Sequence, residues 1–259
     1  MARPEISYRL PDDFDSSGRV VFLGSSLGSS SLMWARALPY FSADIQPVTW
    51  DLPGHGDSDI ATAEFTLREI ADELIVIADR LGVDKFDFAG VSISGGVALE
   101  LAIHHGDRLR STAVMFSAAK IGTAESWADR SATVRAHGTA SMVTDLPPRW
   151  FSPAFIADEG PWLETLMDVL LDVDAESYAK CCEALSSYDV REQLGSVTVP
   201  TLVIAGDHDP SISADAVREL MAGLPNAKLF VVEGGRHLAV VDFPHEVGAA
   251  LNTFWSSIH

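Results

Sequence analysis

The sequence predicts an α/β fold, with a mostly parallel central sheet, helices on both faces and a helical segment inserted late in the strand order. Three observations carry this. Short apolar runs bounded by glycine alternate with amphipathic stretches of helical period. One run, Phe86 to Gly90, ends in Gly90-Val91-Ser92-Ile93-Ser94-Gly95-Gly96 and passes at once into a helical pattern, Val97 to His105. Two later runs end in short turns that carry an acid and a histidine, Gly206-Asp207-His208-Asp209 and Gly234-Gly235-Arg236-His237.

Taken in order, Arg19 to Leu23 reads as a buried strand between Gly18 and Gly24, and Leu32 to Phe41 as a short helix. Ile45 to Asp51 is the next strand, ending in the turn-rich Leu52-Pro53-Gly54-His55-Gly56-Asp57-Ser58. Thr66 to Leu81 has the 3–4 spacing of an amphipathic helix, and Thr66 with Glu69 fits a capping box. Ser111 to Ser117 follows the 86–105 unit as a strand. The rhythm then breaks between about Ala124 and Leu194, where the pattern is helical with Pro147-Pro148 and Pro153 as interruptions. It resumes with a strand from Val199 to Gly206, a helix from Ala214 to Ala222, a strand from Lys228 to Glu233 and a helix from Pro244 to Ser257. The expected organisation is a core of residues 1–123 and 195–259, with residues 124–194 as a helical lid over the carboxyl ends of the strands.

Bulk properties exclude several classes. At 259 residues the chain can form one large core. No apolar span approaches about 18 residues, so no membrane helix is expected. A formal net charge of −19 disfavours nucleic acid and anionic membranes as partners. The N-terminal residues lack an apolar signal core, and the two cysteines, Cys181 and Cys182, are adjacent and read as helix packing. Both features suit a cytoplasmic protein. No spacing suggests a metal site and no cofactor motif is present. The expected partner is a small-molecule substrate, and a homo-oligomer is left open.

The Gly-x-Ser-x-Ser-Gly-Gly turn has the layout of a nucleophile elbow: strand, sharp turn, helix, with a serine at the tip. Ser92 and Ser94 can each be centred in a small-x-Ser-x-small pattern. Ser92 is favoured because the strand ends at Ala89-Gly90; the usual motif then has glycine where Ser94 stands. A serine hydroxyl needs a base, and the base an orienting acid. In such a fold the chain order is serine, acid, histidine. His237 is the expected base. His55 sits in a Gly-rich turn, where a structural hydrogen bond is expected, and His104 and His105 lie along the elbow helix. Asp209 is favoured over Asp207 as the acid because it stands farther past the strand end. The oxyanion donors are expected at the backbone N–H groups of Ile93 and Leu27, the latter in Gly24-Ser25-Ser26-Leu27-Gly28.

With these residues in place, the chain resembles the α/β-hydrolase superfamily over essentially its full length, through the elbow, the ordered acid and histidine, Pro53-Gly54-His55-Gly56 and the helical insert. Ser25-Ser26-Leu27-Gly28 with Met33-Trp34, Ser117 to Trp127, Gly138 to Met142 and Cys181 to Leu185 are similar to segments of 3-oxoadipate enol-lactonases. That resemblance implies the α/β-hydrolase fold and cofactor-free opening of a carboxylated enol-lactone to 3-oxoadipate in aromatic catabolism. It implies Lys120, in the place of a family arginine, as a partner of the substrate carboxylate. Ser26, Trp34, Trp127 and Trp150 are further expected substrate-binding residues.

Overall fold

The computed structural model describes residues 5–158 and 160–258. Among them, seven strands form one sheet in the order β1-β3-β2-β4-β5-β6-β7. They are β1 (Tyr8–Arg9), β2 (Arg19–Gly24), β3 (Ile45–Trp50), β4 (Phe86–Val91), β5 (Leu109–Met115), β6 (Thr201–Gly206) and β7 (Ala227–Val232). Only β1 is antiparallel, pairing Tyr8 with Trp50 and Arg9 with Thr49. The central strands β2 and β4 are apolar on both faces because helices cover both, as parallel sheets require. Helix α1 (Leu67–Arg80) begins with the capping box expected at Thr66 and Glu69. Helix α2 (Ile93–His104) follows β4, and α8 (Ala214–Gly223), α9 (Ala239–Asp242) and α10 (Pro244–Ser256) belong to the second half of the core.

Between β5 and β6 the chain is helical, as expected: α3 (Ala124–His137), α4 (Pro147–Trp150), α5 (Pro153–Asp158), α6 (Gly160–Asp172) and α7 (Ala175–Ser187). Cys181 and Cys182 are buried on α7 and unbridged. Burial pushes both thiols up, Cys182 to about 12, so neither supplies a thiolate at neutral pH.

Local differences have local causes. Helix α2 starts at Ile93, four residues before its apolar period becomes visible, because Ser94, Gly95 and Gly96 are selected for close packing. Leu32 to Phe41 is two 3₁₀ turns, Ser31–Trp34 and Leu38–Tyr40, with Pro39 in the second. β1 is too short to register as a periodic pattern.

At the amino ends of the strands, Asp87 is fully buried and takes Arg19 through both Nε (2.8 Å) and Nη2 (3.1 Å). Arg19 Nη1 also donates to the carbonyls of Trp255 and Ile258, so one guanidinium ties β2, β4 and the end of α10. Removing one member of a buried pair strands the other. Asp87→Ala is expected to destabilise the fold by about 3 kcal/mol, read as a lower urea midpoint. The fraction that remains folded keeps its cavity, because Asp87 lies at the opposite end of β4 from Ser92; an unchanged midpoint would contradict this reading.

Candidate active site

Ser92 follows β4 directly and has φ 58° and ψ −117°, a left-handed conformation rare for a residue with a side chain. The turn is over-determined by its surroundings. Ser92 N–H donates to Met115 O (2.9 Å), and Ser92 O accepts from the Ser117 hydroxyl (2.7 Å) and Gly95 N–H (2.8 Å). Gly90 is required because a Cβ there would run into the carbonyl of Ser94.

The expected base and acid come from the loops after β7 and β6. His237 Nε2 lies 2.9 Å from Ser92 Oγ, and Nδ1 lies 2.9 Å from Asp209 Oδ2. The neutral tautomer that satisfies both carries its proton on Nδ1, leaving Nε2 to accept from the serine hydroxyl. Asp209 is held in turn by the N–H groups of Ser211 (2.7 Å) and Ile212 (3.3 Å). Its side chain is 1% exposed and that of His237 8%, so the pair works largely away from water. Asp207 faces elsewhere and accepts from Gly234 N–H (2.7 Å), bracing the β7 loop. The rival histidines are paired: His105 with Asp72 (2.7 Å) and His104 with Glu100 (3.3 Å).

The loop after β2 presents its peptides in a fixed order. Ser26 O accepts from the N–H and hydroxyl of Ser29 (3.1 and 2.8 Å). Gly28 N–H donates to His55 Nε2 (3.1 Å), while His55 Nδ1–H donates to Pro53 O (3.0 Å). Among the described residues the N–H groups of Leu27 and Ile93 have no acceptor, and Ser26 N–H meets only the thioether of Met33 at 3.4 Å. Leu27 lines the same cavity as Ser92, and Ile93 follows Ser92 directly, so their free N–H groups are the candidates for the oxyanion donors that acyl transfer needs.

These groups open onto a cavity of about 180 Å³, smaller than the roughly 300–1,000 Å³ of drug-sized ligand pockets. Ser26, Leu27, Trp127 and Trp150 line it, as does Leu146. So do two arginines that the sequence reading did not single out, Arg130 and Arg149. Among the described residues no acidic side chain lines the cavity, and neither arginine forms an ion pair. Arg130 lies over the Trp127 ring at 5.0 Å, and Arg149 reaches only Ser211 Oγ at 3.5 Å. Arg130 stands three residues after Trp127 on α3, a spacing that puts both on one face and was readable in the sequence.

Two expected contacts are corrected. Trp34 does not line the cavity; it is fully buried beneath the loop after β2, with Nε1 donating to Gly24 O (3.3 Å). Lys120 also stays outside, because the chain turns outward after the buried Ala118-Ala119 and its ammonium meets Asp189 at 3.3 Å.

His55 is fully buried, and burial lowers its pKa to about 4. The unfolded chain, near 6.5, binds this proton first, so the contribution is complete above about pH 6.5 and is lost as pH falls toward 4, amounting to about 3 kcal/mol. Denaturant unfolding at pH 7 and pH 4.5 is expected to show a smaller loss for His55→Gln than for the wild type; equal losses would contradict it.

Comparison with known proteins places these features in a family. A model described as the alpha/beta hydrolase family matches residues 20–250. 3-Oxoadipate enol-lactonase 1 of Acinetobacter baylyi is 34% identical, with 94% of this chain and 91% of that protein aligned. 3-Oxoadipate enol-lactonase 2 of the same organism is 33% identical over 90% of this chain and 89% of its own. The crystal structure of the enol-lactonase from Burkholderia xenovorans superposes with a TM-score of 0.92 at 27% identity, covering 98% of this chain and 97% of that one. The chain belongs to the alpha/beta hydrolase family, and within it is similar over nearly its whole length to 3-oxoadipate enol-lactonases.

Proposed function

We propose that this hydrolase opens a small carboxylated lactone, 3-oxoadipate enol-lactone to 3-oxoadipate, through an acyl-enzyme on Ser92. The observation that carries the proposal is the pair Arg130 and Arg149 in a small cavity beside Ser92 that no described acidic residue lines. Unpaired guanidiniums next to a nucleophile favour a substrate that brings its own carboxylate. The similarity to the two enol-lactonases of Acinetobacter baylyi supports the same substrate.

Ser92 Oγ attacks the lactone carbonyl carbon as His237 Nε2 takes the hydroxyl proton. Asp209 holds the imidazole and stabilises the imidazolium. The tetrahedral oxyanion rests on Ile93 N–H and a donor of the Ser26-Leu27 loop. Collapse breaks the ring C–O bond; the leaving enolate takes the proton from His237 and becomes a ketone. The acyl group stays on Ser92 as an ester. One water, deprotonated by His237, then attacks that ester, and its collapse releases the second carboxylate and returns the proton to Ser92. No cofactor enters this sequence. Residues 124–194 act as a lid whose arginines and tryptophans select the substrate. No described helix is long and apolar enough to cross a membrane, and the unbridged Cys181 and Cys182 suit the reducing cytosol in which aromatic catabolism would supply the lactone.

Hydrolysis of the enol-lactone, followed by its ultraviolet absorbance, tests the proposal. Ser92→Ala is expected to lose about 10⁴-fold or more in kcat. Arg130→Ala and Arg149→Ala are expected to raise KM for the lactone about tenfold while leaving phenyl acetate hydrolysis nearly unchanged. A folded wild type that hydrolyses phenyl acetate but not the lactone would move the substrate to another small ester.

A further inference from the structure

We propose that Ser94 is a positioning residue whose hydroxyl locks the oxyanion loop to the helix that carries the nucleophile. The proposal rests on the serine-hydrolase reading above. Ser94 is fully buried, and its Oγ donates to Ser25 O at 2.5 Å across 69 residues of sequence. It stands in the first turn of α2, two residues after Ser92, where the elbow motif ordinarily has glycine.

The bond acts on the peptide that directly precedes the one carrying the free Leu27 N–H. Ser25 O and Ser26 N–H belong to one planar unit, so holding the carbonyl fixes where that N–H points. Ser94 Oγ holds one edge of this peptide and Met33 Sδ faces the other at 3.4 Å. The next peptide is held at its carbonyl by Ser29, which leaves Leu27 N–H free. The one after is held by His55. Each donor of the loop is thus aimed by a bond on the opposite edge of its own peptide or a neighbouring one. Of these anchors, Ser94 alone comes from the nucleophile's own helix. A shift of Ser92 would therefore carry the loop with it.

The extra side chain has been accommodated. Gly24, at the end of β2 and paired with Gly90 in the sheet, leaves the space. A Cβ on Gly24 would stand 2.6 Å from Ser94 Cβ, 2.8 Å from its Oγ and 2.7 Å from Trp50 Cζ2, so glycine there leaves room for the hydroxymethyl group as well as for the indole. The space alone would admit any small side chain; the hydrogen bond to Ser25 O is what the hydroxyl adds.

A positioned donor acts on the transition state more than on bound substrate. The test uses phenyl acetate, a neutral ester independent of the arginine contacts, and 1,1,1-trifluoroacetone, which forms a tetrahedral oxyanion on a nucleophilic serine. Ser94→Ala keeps the Cβ that fills the gap, and Ser94→Gly, the motif's usual residue, is the second variant. Both are expected to lower kcat about tenfold with KM within twofold, and to weaken trifluoroacetone inhibition by the same factor as kcat/KM falls. Unchanged kcat and inhibition, or an effect confined to KM or to the melting temperature, would overturn the proposal. A wild type with no esterase activity and no inhibition would overturn the serine reading and this proposal with it, an outcome visible before any variant is made.

Discussion

The left-handed turn at Ser92 is the constraint on which the rest of the site depends. A non-glycine residue with φ 58° costs on the order of 1–3 kcal/mol and persists only where its surroundings leave no alternative. Here β5 holds it from one side through Met115 O and the Ser117 hydroxyl, and α2 holds it from below through Gly95 N–H. The neighbouring strand shares the strain: Phe116, just past β5, has φ 47° and donates its N–H to Ile204 O on β6. The adjacent ends of β4, β5 and β6 therefore form one rigid rim, and the Asp209 loop leaves from the last of them. Distances of 2.9 Å from serine to histidine and from histidine to aspartate follow from four neighbouring strand ends, β4 to β7, set in register, the last of them carrying the His237 loop.

The charge of the molecule and the charge of the cavity have opposite sign. A formal −19 describes the surface, where Debye screening confines each charge to about 8 Å at physiological salt. The cavity is small, and among the described residues its permanently charged lining groups are Arg130 and Arg149. A group entering the cavity would meet these near cations, and the surface charge would act only on its approach. Two stacked or lightly bonded guanidiniums, one over Trp127 and one against Ser211, hold their geometry without an acidic partner.

Much of this was legible in the sequence because the decisive signals are local. The elbow, the two turns after β6 and β7 and the capping box of α1 are patterns within a dozen residues, and the helical run from Ala124 is a continuous stretch of chain. The order of serine, acid and histidine is the one that the resemblance to α/β-hydrolases implies. What was not legible depends on contacts between distant segments. Nothing near Arg149 marks it as a cavity residue, since α4 is aimed by the backbone bonds from His237 and Leu238 to the carbonyls of Arg149 and Trp150. Trp34 and Lys120 looked like binding residues by analogy of neighbouring text, yet one is turned into the core and the other out to Asp189. The start of α2 was hidden because small residues chosen for close approach carry no hydrophobic period.

Covalent trapping tests the central claim most directly. The folded protein would be treated with a small fluorophosphonate, digested and mapped by tandem mass spectrometry. The account predicts a single adduct, on Ser92, and its absence from Ser92→Ala. An adduct on Ser94, or no adduct on a folded protein that still hydrolyses esters, would contradict it.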